Sequence, residues 1–355
     1  MNRVVPCAVG SLLAALLNVG CGGAAPATGP APAVQIELAS FGGTFQAELD
    51  RAVVQPTAAA LGLRAHVTAY SGEYDRLAAS IRTNSNTLDL VHVESSFIKA
   101  GGRAGLLAPV DWQVVHRDLF VPGATEENGV AALAWSLVLS WNSSRLTGGA
   151  VPATWADLFD IKRFPGPRCM RKIPEGNIEL ALLADGVAPS ELYAGGQLDV
   201  ERALRRLSTI KSNIAWWSSG SELEQKMTSE CSLGAAWDGR IQNLRASGGQ
   251  PVDFTYRGGV NQYDWWVIPM NAPHKADAMR FLNGLGAGTG QGVIAEKFGY
   301  GPVARIALEQ LPTTVRPHIS SAPENVTQGV SFDAGWWASN TATVTERWNR
   351  WLLEK

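Results

Sequence analysis

The amino-acid sequence predicts an α/β fold built on a mostly parallel sheet with helices on both faces. Two observations carry this. Short β-rich runs alternate with helical ones in β-α-β-α-β order over residues 34–97, and the alternation restarts after 131–141; parallel neighbours need such crossovers. The chain has 355 residues, 46% of them apolar, and so can bury the cores of roughly two domains.

The elements follow in order. The first strand is expected at 34–39. Phe41-Gly42-Gly43-Thr44 then forms a turn, with Thr44 as cap of the next helix, because its hydroxyl can accept from a free first-turn amide. A second strand at 64–69, a helix at 73–83 and a third strand at 88–93 follow, the last running into a helix near Ser95. Open parallel sheets bind ligands beyond the carboxyl ends of their strands, so the loops 41–45, 70–73 and 94–97 should converge on one edge. Later elements are a helix at 154–160, a strand at 169–172 and helices at 175–184 and 199–211. Strands at 215–217, 232–237 and 265–269, a helix at 274–285 and a mostly helical end at 333–353 complete the pattern.

Residues 1–20 have the form of a secretory signal: Arg3, a short apolar run over 4–17, then small residues up to Cys21. The run is too short to span a membrane, which takes roughly 20 apolar residues. The Gly/Ala/Pro-rich stretch 21–33 reads as a tether, and Cys21 is a candidate lipidation site. Asn18 stands where lipoprotein signals usually carry Leu, and plain cleavage to a free secreted protein is the alternative. Both readings place the mature chain outside the cytoplasm.

Net charge is −2, which supplies no electrostatic reason to bind nucleic acid. Of the four cysteines, Cys7 and Cys21 lie in the leader. Cys169 and Cys231 lie in an exported body, where they suggest one disulfide; two buried thiols are the other reading. The 13 tryptophans include the pairs Trp216-Trp217, Trp265-Trp266 and Trp336-Trp337. On a strand, one member of a pair faces each side of the sheet, serving either a core or the aromatic wall of a cleft. The five histidines have no metal-ligand spacing, and no nucleophile-elbow, zincin, phosphate-loop or Cys-x-x-Cys motif occurs. No metal or cofactor is expected.

At Phe41-Gly42-Gly43-Thr44-Phe45 and the ordered segments 89–97, 154–159, 235–240, 264–269 and 298–302, the chain resembles the bacterial extracellular solute-binding proteins of the spermidine/putrescine type. These are the periplasmic receptors of ABC importers. The resemblance implies a two-lobe periplasmic-binding-protein fold, type II-like, with each lobe a mixed, mostly parallel sheet flanked by helices and the ligand in the cleft between. Lobe 1 would be 34–135 plus 265–301, and lobe 2 136–264 plus 302–355. It further implies a small amine-bearing ligand, permease subunits as partners, a monomer, and no enzymatic activity.

The resemblance assigns ligand contacts residue by residue. Phe41, Thr44 and Phe45 occupy the first-strand loop. Glu94, Ser95 and Ser96 occupy the third-strand loop. Trp237 would stack on the ligand chain, Asp264 would pair with an amine, and Tyr300 would line the cleft. Glu175 and Glu179 lie near the segment that recognises a second amine, and Trp336 and Asp333 near a further contact segment. Two residues depart from the pattern. Gln262 replaces a stacking aromatic, and Arg240 stands where polyamine receptors have a small or acidic residue. A guanidinium suits a carboxylate, so one reading is an amine-carboxylate ligand such as an ω-amino acid. The other pairs Arg240 with Asp238 or Glu94 and leaves the cleft anionic. A secreted carboxylate-pair hydrolase, with Glu94 and Asp264 as its pair, and a sensor without transport are the further alternatives.

Overall fold

The computed structural model describes residues 33–70 and 72–354. The signal, nearly all of the tether, Cys7 and Cys21 lie outside them. The strands are β1 (Gln35–Ser40), β2 (Arg64–Ala69), β3 (Leu90–Glu94), β4 (Thr125–Glu126), β5 (Gly129–Asn142), β6 (Arg168–Arg171), β7 (Ile214–Trp217), β8 (Leu233–Trp237), β9 (Val252–Val267) and β10 (Val330–Ser331). They form one sheet ordered β2-β1-β3-β9-β5-β8-β6-β7, with β4 on β5 and β10 on β9.

β1, β2 and β3 run parallel, as do β6, β7 and β8. Between these groups lies the antiparallel pair β5–β9. β3 lies along the second half of β9 and ends at Glu94, opposite Asp264. β8 lies along the second half of β5 and ends at Trp237, opposite Leu137. The two parallel groups therefore run toward each other. Their carboxyl ends meet over the middle of the β5–β9 pair, at residues 133–137 and 260–264. Register irregularities flank this stretch, between Ala131 and Leu133 and between Leu137 and Leu139. Bulges bend a strand and increase its twist, which suits a pair that leaves one group and joins the other.

The expected α/β class and nearly all the expected elements are present. The main difference is β9. The sequence reading places a strand at 265–269; the strand runs over Val252–Val267 and ends before Pro269. Its first part has no counterpart in the sequence reading; Gly258, at φ 73°, sits in the irregularity of β9. Trp155 donates from Nε1 to the Gly258 carbonyl at 2.7 Å and closes over the bend. Thr44 is not a cap: the helix Gly43–Leu49 begins one residue earlier, with Gly42 at its N-cap. Gln46 instead reaches back to accept from the Gly42 amide at 2.9 Å. The helix expected at 175–184 starts at Asn177, and that expected at 199–211 ends at Ser208.

Most of the tryptophans serve the core. Trp217, Trp266, Trp337, Trp348 and Trp351 are essentially fully buried. The β7 pair faces both sides of the sheet as its period demands. Trp216 packs edge-on to Trp348 and Trp351 of the C-terminal helix, and Trp217 edge-on to Trp237. That helix, Ala334–Leu353, is anchored by a buried acid. Glu179 accepts from Trp337 Nε1 at 2.6 Å, from the Tyr193 hydroxyl at 2.5 Å and from the Gly176 amide at 2.9 Å. All these bonds are structural, and Glu179 is fully buried away from the strand-end cavity.

Asp238, fully buried, sits where the second group joins the crossing pair. It accepts from the Ser136 amide of β5 at 3.1 Å and the Tyr256 hydroxyl of β9 at 3.3 Å. Burial outweighs these bonds and pushes its carboxyl up to about 7. Cys169 of β6 and Cys231, just before β8, form a disulfide with a Cα–Cα distance of 5.7 Å across 62 residues of chain. The pairing reading of the sequence therefore holds.

Two outcomes follow from these buried groups. A carboxyl with a raised folded pKa stabilises the fold fully below its unfolded pKa near 3.8, and that contribution is lost as pH rises through about 7. Urea titrations between pH 4 and 7 should show a component falling by about 1.4 kcal/mol per pH unit, which Asp238→Asn removes. Equal slopes in both proteins would mean that Asp238 is ionised when folded. Closing a loop of this length is worth about 4 kcal/mol in the chain-entropy account. The Cys169→Ser/Cys231→Ser double variant should lose about 2–4 kcal/mol in the same assay, and an unchanged midpoint would make the bond energetically idle.

Candidate functional site

The opposed strand ends enclose a cavity of about 400 Å³, within the usual range for small-molecule sites. Phe41 comes from the turn after β1 and Phe45 from the helix Gly43–Leu49, Tyr74 from the start of the helix Tyr74–Arg82 that follows β2, and Glu94 from the end of β3. Arg171 comes from the end of β6, Ser218–Gly220 from the turn after β7, and Trp237 and Arg240 from the end of β8 and the helix it enters. Leu133 and Trp135 of β5, Asp264 of β9 and Tyr300 complete the wall. A side cavity of about 20 Å³, room for about one water, shares Glu94, Trp135, Arg171 and Trp237 and adds Ser96, Glu175, Asn177, Gln262 and Phe332. A larger hollow of about 630 Å³ lies near residues 182–202. It has no aromatic wall and no convergent strand ends.

Glu94 and Asp264 are direct cross-strand partners in the antiparallel β3–β9 pair. Such partners point to the same face, with Cβ atoms about 4.5–5.5 Å apart, and like charges there repel. Each carboxylate has its own relief. Trp135 Nε1 donates to Asp264 Oδ1 at 2.9 Å. Asp264 Oδ2 lies 3.5 Å from Nε2 of the fully buried His92, whose Nδ1 meets Ser40 Oγ at 3.0 Å. Glu94 Oε1 pairs with Arg171 at 3.4 Å. Burial, reinforced by Glu94 and opposed by Arg171, pushes the Glu175 carboxyl up to about 7.

The aromatic wall is locked by ring contacts. Phe45 packs edge-on to Tyr300 with centroids 5.6 Å apart, and Phe41 stacks on Tyr70 at 5.3 Å. Trp135 and Trp237 meet edge-on at 6.2 Å. Tyr74 stacks on Phe97 at 4.3 Å, and its hydroxyl accepts from the Glu94 amide at 2.8 Å. Burial raises the phenols of Tyr74 and Tyr300 well above their ordinary value, so they stay protonated at neutral pH.

Arg240 pairs with neither Asp238 nor Glu94; its partner is Glu224, with Nη1 3.2 Å from Oε1. Glu224 belongs to the helix Gly220–Ser229, whose N-terminal end lines the cavity. The guanidinium passes directly over that end. A Cβ at Gly220 would lie 2.7 Å from Arg240 Cζ, so only glycine leaves it room. Arg240 Nε is buried with no hydrogen-bond partner. A cation beside helix N-terminal amides is a favourable place for an anion.

Of the sequence-derived residues, Phe41, Phe45, Glu94, Trp237, Arg240, Asp264 and Tyr300 line the main cavity, and Ser96, Glu175 and Gln262 the side cavity. Three line neither. Thr44 is exposed on the outer face of its helix. Ser95 is buried, donating to the Tyr263 carbonyl at 2.7 Å and accepting from Trp265 Nε1 at 3.0 Å. Trp336 packs on Tyr193 and Trp337, while Asp333 caps its helix by accepting from the Trp336 amide at 2.8 Å. The sequence reading misses Tyr74, Trp135, Arg171 and Ser218–Gly220. The strand-end rule could have found Tyr74, Arg171 and Ser218, since each follows or ends a predicted strand; nothing local marks Trp135.

Comparison with known proteins supports the resemblance at the level of the family. A family model for bacterial extracellular solute-binding proteins matches residues 53–321. A gamma-aminobutyric acid-binding protein of Pseudomonas aeruginosa is 31% identical over 329 residues, 92% of this chain and 93% of that protein. A solved GABA receptor superposes with a TM-score of 0.82 at 30% identity, covering 90% of this chain and 98% of the other. The spermidine/putrescine-binding periplasmic protein of Escherichia coli is 27% identical over 188 residues, about half of each chain. The polyamine type named from sequence is thus matched over half the chain, and a GABA-binding relative over nearly all of it. The extent of these matches shows that the chain belongs to the bacterial extracellular solute-binding protein family.

Proposed function

We propose that this protein is the receptor of an ABC importer for an ω-amino acid of the 4-aminobutanoate class, captured by closure of two lobes. The observation that carries this reading is the separation of charge in one cavity. Asp264, next to Glu94, lies on the β3–β9 side, while Arg240 crosses the N-terminus of the helix Gly220–Ser229 on the other. A ligand with an ammonium at one end and a carboxylate at the other satisfies both. The aromatic faces of Phe45, Trp237 and Tyr300 take its methylene chain. Two relatives matched along nearly their whole length bind the same chemical class by name.

The lobes are taken as 34–135 plus 265–301 and 136–264 plus 302–355, hinged at the crossing of β5 and β9. A ligand touching strand ends of both groups stabilises the closed form because only that form makes both sets of contacts. Lipid attachment at Cys21 through the 21–33 tether would hold a monomeric receptor near its permease. Among the described residues no helix is long and apolar enough to cross a membrane. The receptor reading is favoured over the hydrolase one because Glu94 is paired with Arg171 and Asp264 with Trp135, and because the relatives are solute-binding proteins.

Thermal shift of the body against 4-aminobutanoate, 5-aminopentanoate, putrescine, spermidine, succinate and glucose tests the assignment. A ligand at 100 times its dissociation constant adds about 2.7 kcal/mol of stability. The amino acids should shift the midpoint most, and no shift with any amine overturns the reading. By calorimetry, Arg240→Ala and Asp264→Asn should each weaken 4-aminobutanoate at least tenfold, because truncating one side of a desolvated charge pair costs about 2–5 kcal/mol. Gly220→Ala should weaken it too, with little loss of fold stability, by pushing the flexible Arg240 guanidinium off the helix end.

A further inference from the structure

Arg171 has no role in the binding scheme above, yet it occupies a prominent place in the cavity. It ends β6, and its Nη2 and Nη1 lie 3.4 and 3.5 Å from Oε1 of Glu94, which ends β3. The ion pair therefore bridges the two opposed groups of strands. The same guanidinium sits 5.0 Å from the centroid of the Trp237 ring, the aromatic face best placed to receive a ligand cation. Its side chain is 23% exposed, so the charge is partly desolvated and held in place. Glu175 flanks the pair in the side cavity, and burial keeps its carboxyl from ionising fully near neutrality.

A diamine needs two anionic subsites, each able to face an ammonium, and gains from aromatic faces beside them. Asp264 supplies one. The second would be Glu94 with the face of Trp237, and a tethered cation already fills both. We propose that Arg171 is an internal competitor for a second ammonium, and that it makes this cleft reject diamines while accepting ω-amino acids. Arg240 attracts the carboxylate end; Arg171 supplies the repulsive element that discrimination commonly requires. The choice of ω-amino acid as favoured ligand rests on the function proposed above. The blocked second subsite rests only on Arg171, Glu94 and Trp237.

Calorimetric titration of the wild type, Arg171→Ala and Arg171→Gln with putrescine and with 4-aminobutanoate tests this, with circular dichroism as the check on folding. The glutamine variant keeps a polar side chain at the position should the alanine variant fold poorly. Putrescine affinity should rise at least tenfold in the variants, with 4-aminobutanoate changed less than threefold. Adding Glu94→Gln to Arg171→Gln should abolish the gain. Tight putrescine binding by the wild type overturns the proposal, as do folded variants that gain no putrescine affinity. Loss of 4-aminobutanoate without that gain would make Arg171 a carboxylate ligand instead. Should the wild type bind neither compound while the variants acquire putrescine, the competitor role stands and the ω-amino acid reading falls.

Discussion

The crossing of β5 and β9 is the constraint on which the rest of the structure depends. Because the two strands are antiparallel and long, β9 carries one parallel group along its second half and β5 carries the other along its own second half, at the opposite end of the pair. The two groups are thereby made to run toward each other. Their carboxyl ends, where loops are free to vary and helix N-termini begin, confront one another over a shared floor formed by residues 133–137 and 260–264. One cavity then receives side chains from six strand ends, although those residues are scattered over some 260 positions of sequence. Asp238, bonded to β5 and β9 at once, sits at that crossing.

The second organising feature is the like-charged pair Glu94 and Asp264. Register alone forces the two carboxylates onto one face as neighbours, at a cost unless each has a partner. The partners differ in kind. Trp135 gives Asp264 a neutral donor, and the buried His92 lies 3.5 Å from its other oxygen. Arg171 gives Glu94 a full counter-charge from the far side of the cleft. The cavity thus has one carboxylate in an ion pair with Arg171 and one bonded to Trp135, while its second guanidinium, Arg240, pairs with Glu224 beside a helix end. Such asymmetry suits a ligand with unlike ends.

Packing separates structure from function among the aromatics and acids. Five tryptophans are essentially sealed in the core, while Trp135 and Trp237 keep a face on the cavity. Glu179 and Glu175 stand four residues apart, on and just before one helix, yet the first is consumed by three structural hydrogen bonds and only the second lines a cavity. The disulfide lies among the side chains of Trp217, Met227 and Ile241, where it secures β6 against the segment entering β8.

Much of this was legible in the sequence for a physical reason: strand and helix signals are local. Alternation of β-rich and helical runs identified the α/β class, and the rule that ligands sit beyond strand ends pointed to Phe41, Phe45 and Glu94. The Trp237-Asp238-Gly239-Arg240 segment announced a cationic departure from the polyamine pattern. What the sequence by itself could not determine was pairing between distant segments. The first half of β9, separated from the second by the register irregularity at Gly258-Gly259, is a strand only through its pairing with the distant β5. Trp135 lies in a run of apolar residues, and nothing nearby distinguishes it from core. The partners of Arg240 and Glu94 are Glu224 and Arg171, chosen by which strand ends meet and not by proximity in the chain. Tertiary structure decided these points because sheet register, set by burial of whole faces, brings together residues that share no local pattern.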